Sequence, residues 1–218
     1  AAVALRRKTP PRPGADVAYL LDHEVTQLNS DGSSINVVSL VMHAFNPAGR
    51  DRLVRQNVSG AGRLRMLASY SVDEKGARTE AASERGRSVL FRGLQPGSTV
   101  VLQYRIDSPP TGYLSRYLTK SWSFQGVSDQ RTRSRFVMWV PAGVELHERR
   151  VGEVAREERK AGDQLRIQWT STDMPPLIPE PEMPTVAELA ANIKVSTVPT
   201  WAVWLSWEQA LLDGAFRD

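Results

Sequence analysis

The sequence predicts an all-β protein: an antiparallel β-sandwich of about nine to eleven strands, followed by a proline-rich segment and a C-terminal helix. Three observations carry that expectation. From Val17 to about Thr172, short apolar runs are separated by turn residues, which is the rhythm of strands. Several of these runs alternate apolar and polar residues, as half-buried strands do. The chain has 218 residues and is 41% hydrophobic, enough to bury a core that needs no covalent staples. Strands this numerous favour two packed sheets, because a single open sheet leaves an apolar face uncovered.

The elements follow in order. Ala1–Lys8 reads as the last turn of a helix, and Pro10-Pro11-Arg12-Pro13-Gly14 as a linker. Val17 to Leu28 and Ile35 to Phe45 are joined by Asn29-Ser30-Asp31-Gly32, where Asp-Gly supplies the positive φ of a tight hairpin. The second of these strands is apolar on both faces, so it belongs in the middle of its sheet. Asn46-Pro47-Ala48-Gly49 reads as a turn.

Leu64, Met66, Ala68, Tyr70 and Val72 share one strand face, as do Val100, Leu102, Tyr104 and Ile106. Further strands are expected over Leu114–Phe124, Phe136–Val140, Val144–Arg150 and Leu165–Trp169. The tract Met174 to Pro184 holds prolines that remove ladder donors, so it should run extended along the surface. Thr185 and Glu188 have the spacing of a capping box. Trp201 to Phe216 is helical in period, with Trp201, Trp204, Leu205, Leu211 and Leu212 in one stripe. The expected divisions are 1–15, a linker or the end of an upstream helical domain; 16–173, the sandwich; 174–200, the proline-rich exit; and 201–218, a helix leading toward a following domain.

Composition removes several kinds of chemistry. With no cysteine there is no disulfide, thiolate metal site or cysteine nucleophile in this chain. A formal charge of +4, from 28 basic and 24 acidic residues, is a mixed surface and gives no expectation of nucleic-acid binding. Arg131, Arg133 and Arg135 alternate along a strand and read as its solvated face. No apolar stretch reaches the roughly 18 residues that span a bilayer. The chain opens on Ala1, so its location is not read from its ends.

Histidine is represented only by His23, His43 and His147, which are expected to be scattered. In Asp22-His23-Glu24 only Asp22 and Glu24 point the same way, so the cluster is a weak metal candidate. There is no Gly-x-Ser-x-Gly elbow, and Gly60-Ala61-Gly62 lacks the lysine and helix of a phosphate cradle. No catalytic residue, metal ligand or cofactor is therefore assigned. The chain has six tryptophans, and Trp201, Trp204 and Trp207 crowd the terminal helix. They either dock that helix on the sandwich or form an interface for a following domain. Trp122, Tyr113 and Tyr117 are candidate stacking residues for a cell-wall glycan or peptide, weighed against plain core packing.

The chain also resembles a bacterial family catalogued as domain of unknown function 3857, which commonly precedes a transglutaminase-like domain. The matching landmarks are the Asp31-Gly32 hairpin, Arg92-Gly93-Leu94-Gln95-Pro96-Gly97-Ser98 before a strand ending in Tyr104-Arg105, and Trp122-Ser123-Phe124-Gln125 through Trp139-Val140-Pro141. Pro176-Leu177-Ile178-Pro179-Glu180-Pro181-Glu182-Met183-Pro184, then Lys194-Val195-Ser196-Thr197 and Trp201, complete the pattern. The resemblance covers about residues 16 to 216.

It implies a non-catalytic module of a transglutaminase-like envelope protein, exported or periplasmic, with tetratricopeptide repeats as frequent neighbours. Its partner would be the adjacent transglutaminase-like domain or another envelope protein. In that architecture a papain-like cysteine, histidine and aspartate belong to the following domain, in keeping with the absence of cysteine here. The alternative function is a ligand-binding module for peptidoglycan, polysaccharide or peptide.

Overall fold

The computed structural model describes residues 2–110 and 115–215. A 3-10 helix, Ala2–Lys8, precedes β1 (Val17–Leu28) and β2 (Ser34–Ala44), which form the hairpin read from Asp31-Gly32. Gly32 has φ +87 at that turn. Next come α1 (Pro47–Val54), β3 (Arg55–Asn57), β4 (Arg63–Val72), β5 (Arg78–Glu80), β6 (Ser83–Arg85) and β7 (Ser88–Leu90). The chain continues through β8 (Thr99–Ser108), β9 (Thr119–Ser123), β10 (Asp129–Pro141), β11 (His147–Val151), β12 (Ala155–Ala161) and β13 (Gln164–Met174). It closes with α2 (Val186–Leu189), β14 (Asn192–Ser196) and α3 (Trp201–Ala215).

The all-β expectation holds, but the described residues form 14 strands where about nine to eleven were expected, and β3, β5, β6 and β7 are only three residues long. Eight of them form one large sheet in the order β12-β13-β10-β1-β2-β8-β4-β5. Two three-stranded sheets, β11-β14-β9 and β3-β7-β6, complete the set. Pairing is antiparallel except between β1 and β10, which run parallel in the middle of the large sheet. β2 lies between β1 and β8, the interior position its two apolar faces require.

Two apolar clusters hold the small sheets against one face of the large one. In the first, Val38, Met42, Leu102 and Ile106 pack with Val89 and Phe91 from the β3-β7-β6 side. In the second, Met138 and Ile167 meet Ile193 and Val195 of β14. An aromatic stack runs through that second cluster: Trp122 over Phe136 at 5.7 Å, then Phe136 against Trp169 at 5.4 Å. On the opposite face of the large sheet, Ala18, Leu20 and Val41 are covered by Ala2, Val3 and Leu5 of the 3-10 helix.

Two expectations are corrected. Asn46-Pro47-Ala48-Gly49 opens a helix and is not a simple turn: Asn46 Oδ1 accepts from the Gly49 amide at 2.8 Å, and Pro47 occupies the first turn, where its missing N–H costs nothing. The exit after Met174 does not only run along the surface. It returns as β14, the central strand of its small sheet, because Ile193 and Val195 have an apolar cluster to fill. The predicted capping box does form, with the Thr185 amide donating to Glu188 Oε2 at 3.0 Å.

Candidate functional site

A cleft of about 730 Å³ lies over β1 and β2, walled on one side by residues from β3 and the loop after it and on the other by β9. Its floor is polar because of one irregularity in β1. Opposite β2 the register shifts between Tyr19 and Leu21, leaving Leu20 as an extra residue. A bulge of this kind changes which residues face each side of a strand. Tyr19, Asp22 and Glu24 consequently all line the cleft, while Leu20 is buried on the opposite face.

The floor is knit together by ion pairs and hydrogen bonds. Arg131 of β10 donates through Nη1 to Asp22 Oδ2 and to the Ser123 carbonyl of β9. Ser134 Oγ donates to Asp22 Oδ2 at 3.2 Å and accepts from Trp122 Nε1 at 3.0 Å. One step along β1, Lys120 Nζ donates to Glu24 Oε1 at 2.6 Å. Thr26 Oγ1 lies 2.9 Å from Glu24 Oε1 and 2.8 Å from Asn36 Oδ1, and gives its single proton to one of them.

Burial governs the protonation of these groups. It pushes the Asp22 carboxyl up to about 6, outweighing Arg131 and the Ser134 hydrogen bond, which pull it down. Burial likewise raises the phenols of Tyr19 and Tyr104 to about 12, with nearby carboxylates adding to the effect. At neutral pH the cleft therefore presents protonated tyrosines, beside the Asp22–Arg131 and Glu24–Lys120 pairs. Asp22 is only 3% exposed, which makes it a group that orients Arg131 and not one that reaches a ligand.

Arg131 is a correction to the sequence reading. Arg133 is exposed, and Arg135 Nη2 approaches His23 Nδ1 at 3.5 Å, but Arg131 turns into the cleft instead of joining a solvated face. The three histidines have different surroundings. His23 sits beside Arg135, His43 Nδ1 pairs with Thr99 Oγ1 at 3.0 Å, and His147 is near Glu145 at 3.8 Å. Among the described residues, no three His, Asp or Glu side chains are grouped to hold a metal. No described helix is long and apolar enough to cross a membrane.

The remaining candidates fall in separate places. Trp122 lines the cleft, but one of its faces lies on Phe136. Tyr117 is half-buried outside the cleft, and Tyr113 falls outside the described residues. On α3, Trp201 is 81% exposed, while Trp204 and Trp207 are half-buried and meet edge to face at 5.3 Å. Trp201 and Trp204 border a recess formed with Pro199, Val198 and His147. Sequence reasoning missed Tyr19, Lys120, Asn36 and Tyr104 as cleft residues. The available signal was three polar residues, Asp22, Glu24 and Thr26, at alternate positions of the strand that pairs with β2.

Fold and cleft define a β-sandwich module whose second layer is split by a polar groove. Residues 71–178 match the family described as "Domain of Unknown Function with solved-structure structure (DUF3857)", and the chain belongs to that family over this range. Among solved structures, it is similar to the one described as "a putative protease" from Parabacteroides distasonis, at 19% identity and a TM-score of 0.75, over 84% of this chain and 41% of that one. At this identity the likeness is one of fold, and the chain spans about two fifths of that protein's length. An M1 zinc metallopeptidase from Deinococcus radiodurans aligns at 17% identity and a TM-score of 0.43, over 84% of this chain and 42% of that one. No curated protein matches the chain.

Proposed function

We propose that this chain is a non-catalytic structural and interaction module of an exported, transglutaminase-like envelope protein, and that α3 positions a neighbouring domain or partner. The observation that carries the reading is the exposure of α3. Trp201 (81%), Leu205 (63%), Leu211 (55%) and Leu212 (52%) present apolar surface that the sandwich does not cover. An exposed tryptophan is the residue type most characteristic of an interface anchor, and the exposed leucines beside it extend the apolar surface a partner would cover. The similar fold forming 41% of a longer protein supports a modular role.

The test uses the full-length parent protein. Trp201→Ser combined with Leu205→Ser should loosen the following domain, read as an increased radius of gyration and faster proteolysis after Thr200. Purified residues 1–218 should turn over no peptide, amide or ester substrate. Unchanged domain geometry in the double variant, or turnover by the isolated chain, would defeat the proposal.

A second reading, a ligand-binding module for peptidoglycan, polysaccharide or peptide, is favoured by the cleft over Asp22 and Glu24. Its floor is built from buried polar groups joined by ion pairs and hydrogen bonds, with Arg131 Nε left without a partner, an arrangement that costs stability compared with an apolar floor.

A further inference from the structure

The two small sheets share one face of the large sheet but do not join. Among the described residues each ends on the cleft side in a strand with a free edge, because there β9 pairs with β14 alone and β3 with β7 alone. Free edges carry unpaired amides and carbonyls and serve as templates for another strand.

Alternation identifies the free groups on β9. The Leu118 carbonyl accepts from the Thr197 amide at 2.9 Å, and the Phe124 amide donates to the Ala191 carbonyl at 2.7 Å. Residues of that parity thus face β14, and Thr119, Ser121 and Ser123 direct their amides and carbonyls the other way. Arg131 confirms the direction, since it reaches up from the cleft floor to the Ser123 carbonyl. Consecutive residues Leu118 through Ser123 line the cleft, as expected of a strand seen edge-on.

We infer that the cleft receives an extended peptide, which adds as a strand to the free edge of β9 and fills the gap between the two small sheets. The backbone of Thr119 and Ser121 supplies the ladder hydrogen bonds. A five-residue strand such as β9 would engage about 17 Å of peptide at about 3.3 Å per residue.

The floor sets the side-chain chemistry. Every second residue of the added strand would face Tyr19, Glu24, Asn36, Tyr104 and the Arg131 that Asp22 orients. Asp22 is already paired with Arg131 and Glu24 with Lys120, so a charged residue would leave one charge in excess. An apolar residue would strip water from these groups and return no hydrogen bond. Serine, threonine, asparagine or glutamine fits both conditions. A sugar is the weaker occupant because Trp122, the indole lining the cleft, has one face on Phe136 and its Nε1 committed to Ser134.

This inference rests on the ligand-binding reading and specifies its ligand. It is independent of the exit helix. Its test is selection of a displayed library of random heptapeptides against the intact chain, with soluble peptidoglycan fragments as a second arm. The expected result is enrichment of Ser, Thr, Asn or Gln at alternate positions. Hydrogen exchange at the Thr119 and Ser121 amides should slow when an enriched peptide is added.

Ser121→Pro removes an outward amide but no bond to β14, so the sheet persists, and peptide affinity should fall about tenfold or more. Ser121→Ala keeps the backbone and should bind as the parent does. Equal binding by Ser121→Pro, or enrichment without alternate polar positions, overturns strand addition. Glycan binding without peptide binding also overturns it while sparing the ligand reading, and failure of both arms removes both.

Discussion

The Asp22 carboxylate meets the Arg131 guanidinium on the cleft floor although the two residues are 109 positions apart, on strands that run parallel. Each is needed to make the burial of the other tolerable. Arg131→Ala leaves Asp22 buried beside only Ser134, and should cost about 3 kcal/mol at pH 7. The double variant Asp22→Asn with Arg131→Ala removes both charges and should recover more than about 1 kcal/mol relative to additivity. Urea unfolding of the four proteins in the cycle measures this coupling, and additive losses would show that the pair contributes no interaction.

Acid stability should reflect two groups of opposite sign. His23, lowered from 6.5 to about 4 chiefly by burial and then by Arg135 and Arg166, stays neutral when folded while the unfolded imidazole takes up a proton. Its contribution is present above pH 6.5 and is lost as pH falls toward about 4. Asp22, raised from 3.8 to about 6, does the reverse: its contribution is present below pH 3.8 and is lost as pH rises through about 6. Between these limits the two partly cancel. Asp22→Asn should therefore lose stability more steeply than the parent on acidification from pH 7 to 4.5, and His23→Gln less steeply. Parallel profiles for all three proteins would rule this out.

Local patterns made much of the fold legible. The Asp31-Gly32 hairpin, the interior position of β2 and the Thr185–Glu188 box each follow from a few adjacent residues. α1 escaped because its only apolar residues are Pro47, Ala48, Leu53 and Val54, too few to show a helical period, although Asn46-Pro47 is itself a helix-start signature. β3, β5, β6 and β7 are three residues long and too short for periodicity to register. β14 was hidden by its setting between a proline tract and a helix, even though Ile193 and Val195 alternate with Lys194. The cleft was least legible. Its chemistry depends on Lys120 reaching Glu24 across 96 residues, and on a bulge at Leu20 that no local residue choice announces.

The aromatic stack should be the costliest place to make a cavity. Trp169 is fully buried against Phe136, and its Nε1 donates to Glu148 Oε2 at 3.2 Å. Trp169→Ala removes the stack's end and leaves that carboxylate oxygen short of a donor, for an expected loss of about 3–5 kcal/mol. Trp169→Phe keeps most of the apolar contact and should cost less than half as much. Chemical denaturation separates the two, and equal losses would assign the effect to the Nε1 hydrogen bond.

Two truncations distinguish a structural exit from a dispensable one. α3 exposes most of its large apolar residues, and Trp204 and Trp207 are only half-buried, partly against each other. Ending the chain at Thr200 should therefore change folding stability by no more than about 1 kcal/mol. Ending it at Ala191 removes β14, whose Ile193 is 0% and Val195 2% exposed, and separates β9 from β11. That loss strips the second apolar cluster of one wall and should abolish cooperative unfolding of the β10–β13 half. Circular dichroism melts of the two truncations test the contrast. A melt of the Ala191 truncation that matches the parent would show that β14 is peripheral to the sandwich, and a collapse of the Thr200 truncation would make α3 part of its core.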